Sequence, residues 1–467
     1  MTIPADYMHP EMMAIGDSLY QGVRSLTIKN GTNQLSAPAL AAEALGIRHK
    51  FSCPDPKRPI LVNMEAWLRM LPGIDAIKQD MAGNVDYWFA RPASPSGRLL
   101  FENVAVASST IADLYTATWQ TSDDYLRGLA NGTRGKIKQL KFDGLDLAEI
   151  VIALNARFTL NPSGKAAFKK LSQVDLAAAR KPKRLLVNIG ANNGLWDMAF
   201  AAKPGARMVF KADLRRLAAR LHALPGEVEH IYFNNLGLPS TVPNLMPLPD
   251  LVEWEEGNKP GRGNYYRKYE NRFGLAYGSL TGAQLRKLDE RVALANQESQ
   301  AILKSVFGTD RRLHFVDLAK STRKYDAKHQ RRTANNVIKL KNDKTITNVM
   351  LNAGLFGGFR RGGTQGLDGM HPTVVGYAIM AQQVLDAIKR AEPGTNPARI
   401  DLDDAFSRDK LLNDVPWVWN MGLWLWRDIR RAQAANSPEP IGDADDAAVR
   451  DVFATAGLAI RTGSNVA

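Results

Sequence analysis

Met12-Met13-Ala14-Ile15-Gly16-Asp17-Ser18-Leu19 is the stretch from which the rest of this chain is read. A short apolar run, long enough for a buried strand, stops at Gly16. A small polar turn follows, and then residues able to start a helix. Glycine lets the backbone turn sharply, and a helix N-terminus aims N–H groups at developing negative charge, so such a turn exposes whatever side chain it carries. Ser18 is thereby a candidate nucleophile, although Gly-Asp-Ser is also ordinary turn chemistry. Asp17 is read as accepting backbone N–H bonds that fix the turn.

A hydroxyl nucleophile needs a base, and the base needs an orienting partner. More than three hundred residues further on, Asp368-Gly369-Met370-His371-Pro372-Thr373 offers both. A three-residue separation can put a carboxylate and an imidazole on one side of a turn, so that the carboxylate holds Nδ1–H while Nε2 faces outward. Of the seven histidines only His371 and His9 are followed directly by Pro and preceded three residues earlier by Asp, and His9 lies near the terminus. His314, inside an apolar run, reads as a packed core histidine. His9, His49, His222, His230 and His329 read as structural.

Between these two stretches, apolar runs at 184–190, 230–233 and 313–318 read as buried strands, and 103–110 as a strand entering a turn. Helices are predicted at 35–46, from 113 onward, through most of 120–183 with a turn at 161–164, and at 206–224, 281–305 and 374–388. Residues 237–249 read as a Pro-rich loop, and 354–366 as a mobile, Gly-rich cleft wall carrying Arg360 and Arg361. Strands separated by helices predict an α/β protein with a parallel sheet covered on both faces.

The bulk numbers agree: 467 residues, 45% hydrophobic and 23% charged, are those of a globular protein. The single cysteine, Cys53, excludes a disulfide framework and a cysteine-rich metal site. No HExxH or comparable ligand cluster occurs, so neither metal nor cofactor is expected. No apolar run is long enough for a membrane span. No secretory signal is visible, which points to the cytoplasm; removal of a signal would make the protein secreted or periplasmic. The formal charge of +14 favours polyanions, anionic lipid or acidic substrates. Much of it is local, with eleven Lys or Arg against three Asp between Arg311 and Lys344. That stretch reads as a solvated face, and without a recognisable motif no nucleic acid is expected.

Taken in order, four blocks resemble those of the SGNH hydrolases, the GDSL-type esterases and lipases. Gly16-Asp17-Ser18-Leu19 matches the first, Asn103 to Thr110 is similar to the second, Gly190-Ala191-Asn192-Asn193 looks like the third, and the Asp368–Thr373 stretch matches the last. The resemblance covers residues 11–390, with insertions at about 120–183 and 237–312. It implies a three-layer α/β/α sandwich around a mostly parallel, flavodoxin-like sheet. It also implies Ser18 as nucleophile, His371 as general base and then acid, and Asp368 as the residue orienting His371. The implied oxyanion hole combines the Ser18 N–H, the Asn192 side-chain amide and the N–H of Ser108, which stands where the family has glycine. Asn193 replaces the family's Asp and should alter supporting hydrogen bonds more than chemistry; Asn192 and Asn193 could in principle exchange roles, but the pattern favours Asn192.

The implied reaction is cleavage of a carboxylic ester through an acyl-enzyme, a lipid or other apolar acyl ester being favoured over a sugar acetyl ester. Thioester cleavage and acyl transfer suit the same residues. A rival of another class is a scarcely active or non-catalytic protein that binds polyanions or membranes through its basic surface. Residues 391–467 lie beyond the resemblance and read as a helical extension after a linker at 393–397. Four of the nine tryptophans fall between Trp417 and Trp426, followed by basic residues to Arg431. The segment from Trp417 to Arg431 reads as a helix docked on the catalytic domain, with peripheral membrane contact as the alternative.

Overall fold

A computed structural model describes residues 3–71, 73–139, 141, 145–248, 265–266, 268–271, 279–329, 337–354 and 358–419. Strand Met12–Gly16 is buried along its whole length. It pairs in parallel with Arg184–Asn188, which pairs with His230–Asn234 and then with Leu313–Val316, so the sheet runs in sequence order. Val187 lies opposite Ile15 on one side and Phe233 on the other. A strand enclosed on both faces needs apolar side chains at successive positions, which is why these runs do not alternate.

The strand expected at 103–110 is instead an extended segment with a single bridge, Asn103 to Ala14. Three backbone hydrogen bonds, among them Val106 N–H to Gly16 O, hold it along the free edge of the first strand. The helix expected over 206–224 begins only at Lys211 (Lys211–His222). The Val209 N–H is taken by Asn193 O, which keeps the preceding residues out of the helix.

The two stretches expected to be insertions differ in kind. Region 120–183 is helical as expected, and Leu147–Leu160 is buried over most of its surface. Its turn at 161–164 is present, with the Gly164 N–H bonded to Asn161 O. The loop at 237–249 hides a strand, Leu245–Leu248, antiparallel to Lys268–Asn271, which pairs with Ser279–Thr281. Pro247 is tolerated because its strand is at the edge of the three, where a missing N–H breaks no internal ladder.

The 354–366 stretch also departs from expectation. Phe359–Arg361 is a strand paired with Asn352–Ala353, and among the described residues of this stretch only Thr364 and Gln365 line the cleft, so Arg360 and Arg361 do not form its wall. The basic stretch 311–344 is not all solvated face. Lys328 is buried, donates to Val242 O and Leu245 O, and is pushed down by burial to about 8. Beyond the matching region, the described residues to 419 do not stand apart. Phe406, Leu411, Leu412 and Val415 join the main hydrophobic cluster, and helix Leu402–Ser407 packs on helix Val374–Ala391. Most of the Trp417 to Arg431 segment, and everything after it, lies outside the described residues.

Candidate active site

The first strand ends in a turn that only glycine can make. Gly16 has φ +145°, and a Cβ there would come within 2.1 Å of Asn188 O. Asp17 caps the short helix Ser18–Gln21 by accepting the Leu19 N–H at 3.1 Å, as its turn-fixing reading requires. The same oxygen accepts Asn188 Nδ2 at 2.9 Å; Asn188 in turn accepts from Asn234, which accepts the Tyr20 hydroxyl at 3.0 Å. A ladder of side chains thus ties the carboxyl ends of three strands to the nucleophile turn. Burial pushes the Asp17 carboxyl up to about 6, against the lowering effect of Leu19 N–H, Asn188 and the nearby His371.

Across the cleft the last block delivers an imidazole. Asp368 is fully buried, and its Oδ1 accepts the Met370 and His371 N–H groups at 3.0 and 2.9 Å. Its Oδ2 accepts the Leu26 N–H at 2.9 Å and lies 2.6 Å from His371 Nδ1. Gly369, at φ +65°, makes this turn where a Cβ would press on the Asn244 backbone. With Nδ1–H held by the carboxylate, Nε2 carries the free lone pair, and it lies 3.0 Å from Ser18 Oγ. The two groups, 353 positions apart in sequence, are thus in hydrogen-bond reach.

Ser18, Ser108 and Asn192 line one cleft with His371. Among the described residues the Ser18 and Ser108 amides have no protein acceptor. Asn192 Nδ2 gives one hydrogen to Ser109 O at 2.9 Å, which orients the amide and leaves its second N–H for the cleft. Asn193 points elsewhere: Oδ1 accepts the Ile111 N–H at 3.0 Å and Nδ2 donates to Val209 O at 2.9 Å. An aspartate there could not make the second bond. Of the two amides, Asn192, the one the sequence pattern favours, lines the cleft, and Asn193 is not among the described residues that do.

Several supporting residues were not singled out in the sequence. Gln173 clamps Gly16, accepting its N–H at 2.7 Å and donating to its carbonyl at 3.2 Å. Gln21 accepts the Ala107 N–H at 2.8 Å and exchanges amide bonds with Asn155, steadying the backbone just before Ser108. An isolated Gln carries no local signature, and these partners lie 86 and 134 positions away. The remaining histidines stay outside. Asp326 and His329 repeat the Asp-x-x-His spacing, but His329 Nε2 meets the buried Tyr269 hydroxyl at 2.8 Å. His314, half-buried rather than fully packed, stacks on Tyr232 and bonds His230 at 3.0 Å.

Ser108 has φ +67°, a backbone conformation that costs an L-residue roughly 1–2 kcal/mol. Ser108→Gly is expected to leave turnover within about twofold, since the N–H is kept. It should raise unfolding free energy by roughly 0.5 kcal/mol, strain relief being partly offset by glycine's greater unfolded entropy. Urea titration of the two proteins checks this; a loss of stability would mean that the Ser108 side chain makes a compensating contact.

The family model for GDSL-like Lipase/Acylhydrolase matches residues 12–384, more than half of the chain. No curated protein and no solved structure matches it. With its parallel α/β sheet, the chain belongs to the GDSL-like lipase/acylhydrolase family of the SGNH superfamily, a family of ester-hydrolysing enzymes.

Proposed function

We propose that this enzyme cleaves carboxylic esters through a Ser18–His371–Asp368 triad, with Ser18 N–H, Ser108 N–H and the Asn192 amide as the oxyanion hole. The support for this reading is the unbroken run from Ser18 Oγ to His371 Nε2, at 3.0 Å, and from His371 Nδ1 to Asp368, at 2.6 Å. Ser18 Oγ attacks the ester carbonyl carbon as its proton passes to His371 Nε2. The carbonyl oxygen takes the negative charge, facing donors already in place. The carbon–oxygen bond to the alcohol then breaks, and the departing oxygen takes the proton from His371. Water, deprotonated by the same imidazole, releases the acid and restores Ser18.

A fluorophosphonate probe should form one adduct, mapped by peptide mass spectrometry to the Ser18 peptide, and short p-nitrophenyl esters should be hydrolysed. An adduct on another serine would overturn the assignment. Asn192→Ala is expected to lower kcat by about 10²–10³, the usual effect of losing one oxyanion donor, about 2.7–4 kcal/mol. Since Asn192 is partly exposed and its side chain, among the described residues, bonds a single carbonyl, thermal unfolding should stay close to wild type. Near-normal turnover in that variant would remove Asn192 from the site.

A further inference from the structure

Two open compartments meet at the nucleophile, and Ser18, Asn192, Trp196 and His371 line both. Each takes in about 1010 Å³ when the open solvent at its mouth is counted. One passes Ser108 and is walled by Leu26, Ile28 and Val62 and, from helix Leu147–Leu160, by Leu147 and Val151. The other passes the loop bearing His371 and is walled by Met370, Pro372 and Leu318 and, from helix Val374–Ala391, by Ile379 and Met380. Trp196 stands between them, stacked on Phe200 with centroids 4.4 Å apart and 5.7 Å from the His371 ring.

We propose that the substrate is an ester with apolar chains on both sides of the scissile bond, the acyl chain lying against helix Leu147–Leu160 and the alcohol chain against helix Val374–Ala391. This deepens the reading of Ser18 and His371 given above and rests on it. The direction follows from the proton. The departing oxygen must reach His371 Nε2, so the alcohol leaves over the His371 loop, where Met370 and Pro372 flank the ring. The carbonyl oxygen turns toward Ser18 N–H, Ser108 N–H and Asn192, and the remaining substituent of the tetrahedral carbon is directed past Ser108 into the first compartment. A small acetyl group would leave that compartment empty, and a sugar alcohol would set most of its hydroxyls against methionine, isoleucine and leucine, with Thr322, Tyr325 and Gln365 among the polar side chains that also line it.

Two ester series separate the arms: ethyl esters of acids from acetic to dodecanoic, and acetates of alcohols from ethanol to dodecanol, followed by proton release. For the wild-type enzyme kcat/KM should climb with chain length in both. Val151→Trp should lower the long-to-short ratio by at least about tenfold in the acid series alone, and Ile379→Trp should do so in the alcohol series alone. Trp196→Ala, which removes the partition, should change both ratios. Short-chain fluorophosphonate labelling of each variant reports whether its site is still formed. Crossed effects, with Val151→Trp acting on the alcohol series, would overturn the orientation. Flat profiles in both series with Ser18 still labelled would overturn the two-chain substrate and leave the hydrolase reading standing. Absence of both hydrolysis and Ser18 labelling would overturn the two together.

Discussion

Ser18→Ala is expected to lower ester turnover by about a millionfold, and adding His371→Ala to it should cost almost nothing more. The two side chains act on one proton, so removing either removes the same step. Asp368→Asn should lower kcat by about 10⁴. The reason lies in its neighbours. Oδ1 faces the N–H groups of Met370 and His371, and Oδ2 faces the Leu26 N–H and His371 Nδ1. Whichever way an asparagine amide is placed, its NH₂ meets a donor. Setting it against Nδ1 drives the proton to Nε2, where the ring can no longer accept from Ser18. Single-turnover kinetics with p-nitrophenyl acetate on the three variants checks this. Residual activity should come from the oxyanion donors alone, and additive losses in the Ser18/His371 double variant would show that the pair does not work as a unit.

The parts of this site legible in the sequence are those whose chemistry is local. Gly16-Asp17-Ser18 carries its own turn, and Asp368 and His371 sit three residues apart on one loop. Yet Asp326 and His329 have the same spacing and reach only a buried tyrosine. What separates the two pairs is a partner hundreds of positions away, which spacing cannot report. The four parallel strands were legible because a doubly covered strand must be apolar throughout. The strand at Leu245–Leu248 was not, because Pro247 reads as a loop residue unless its edge position is known. Gln21, Asn155 and Gln173 were invisible for another reason. Amides satisfy one another only once the fold has brought them together, and before that they resemble any surface polar residue.

The same limit hid Asp409, and its removal should be the most damaging change outside the cleft. Asp409 is fully buried and pairs with Arg24 Nη1 at 2.8 Å, while Arg24 also grips Glu65 at 2.6 and 2.8 Å. Its other oxygen accepts the Val374 N–H at 2.7 Å, at the start of the helix that follows His371, Pro372 and Thr373. From Arg24 the chain runs directly into Ser25, which accepts the Leu367 N–H, and Leu26, which donates to Asp368. Asp409→Ala leaves a buried guanidinium short of one counter-charge and the N–H groups of Val374, Leu411 and Leu412 without acceptors. Breaking a buried pair from one side costs about 3–5 kcal/mol, a large share of the roughly 5–15 kcal/mol by which proteins are stable.

Glu65 gives an independent readout of the network. Burial alone would raise its carboxyl, but Arg24, with Lys29 and Arg69, holds it at about 2 against an ordinary 4.5. A depressed acid contributes fully above the unfolded value, so wild-type stability should fall as pH drops from about 4.5 towards 2. Asp409→Ala should unfold at lower urea throughout, and a midpoint equal to wild type would show the pair to be dispensable. By the same argument, a chain cut after Arg390 loses Asp409 and should fail to fold. One cut after Trp419 keeps the network, and is the proper reference against which the role of the tryptophans beyond it is measured.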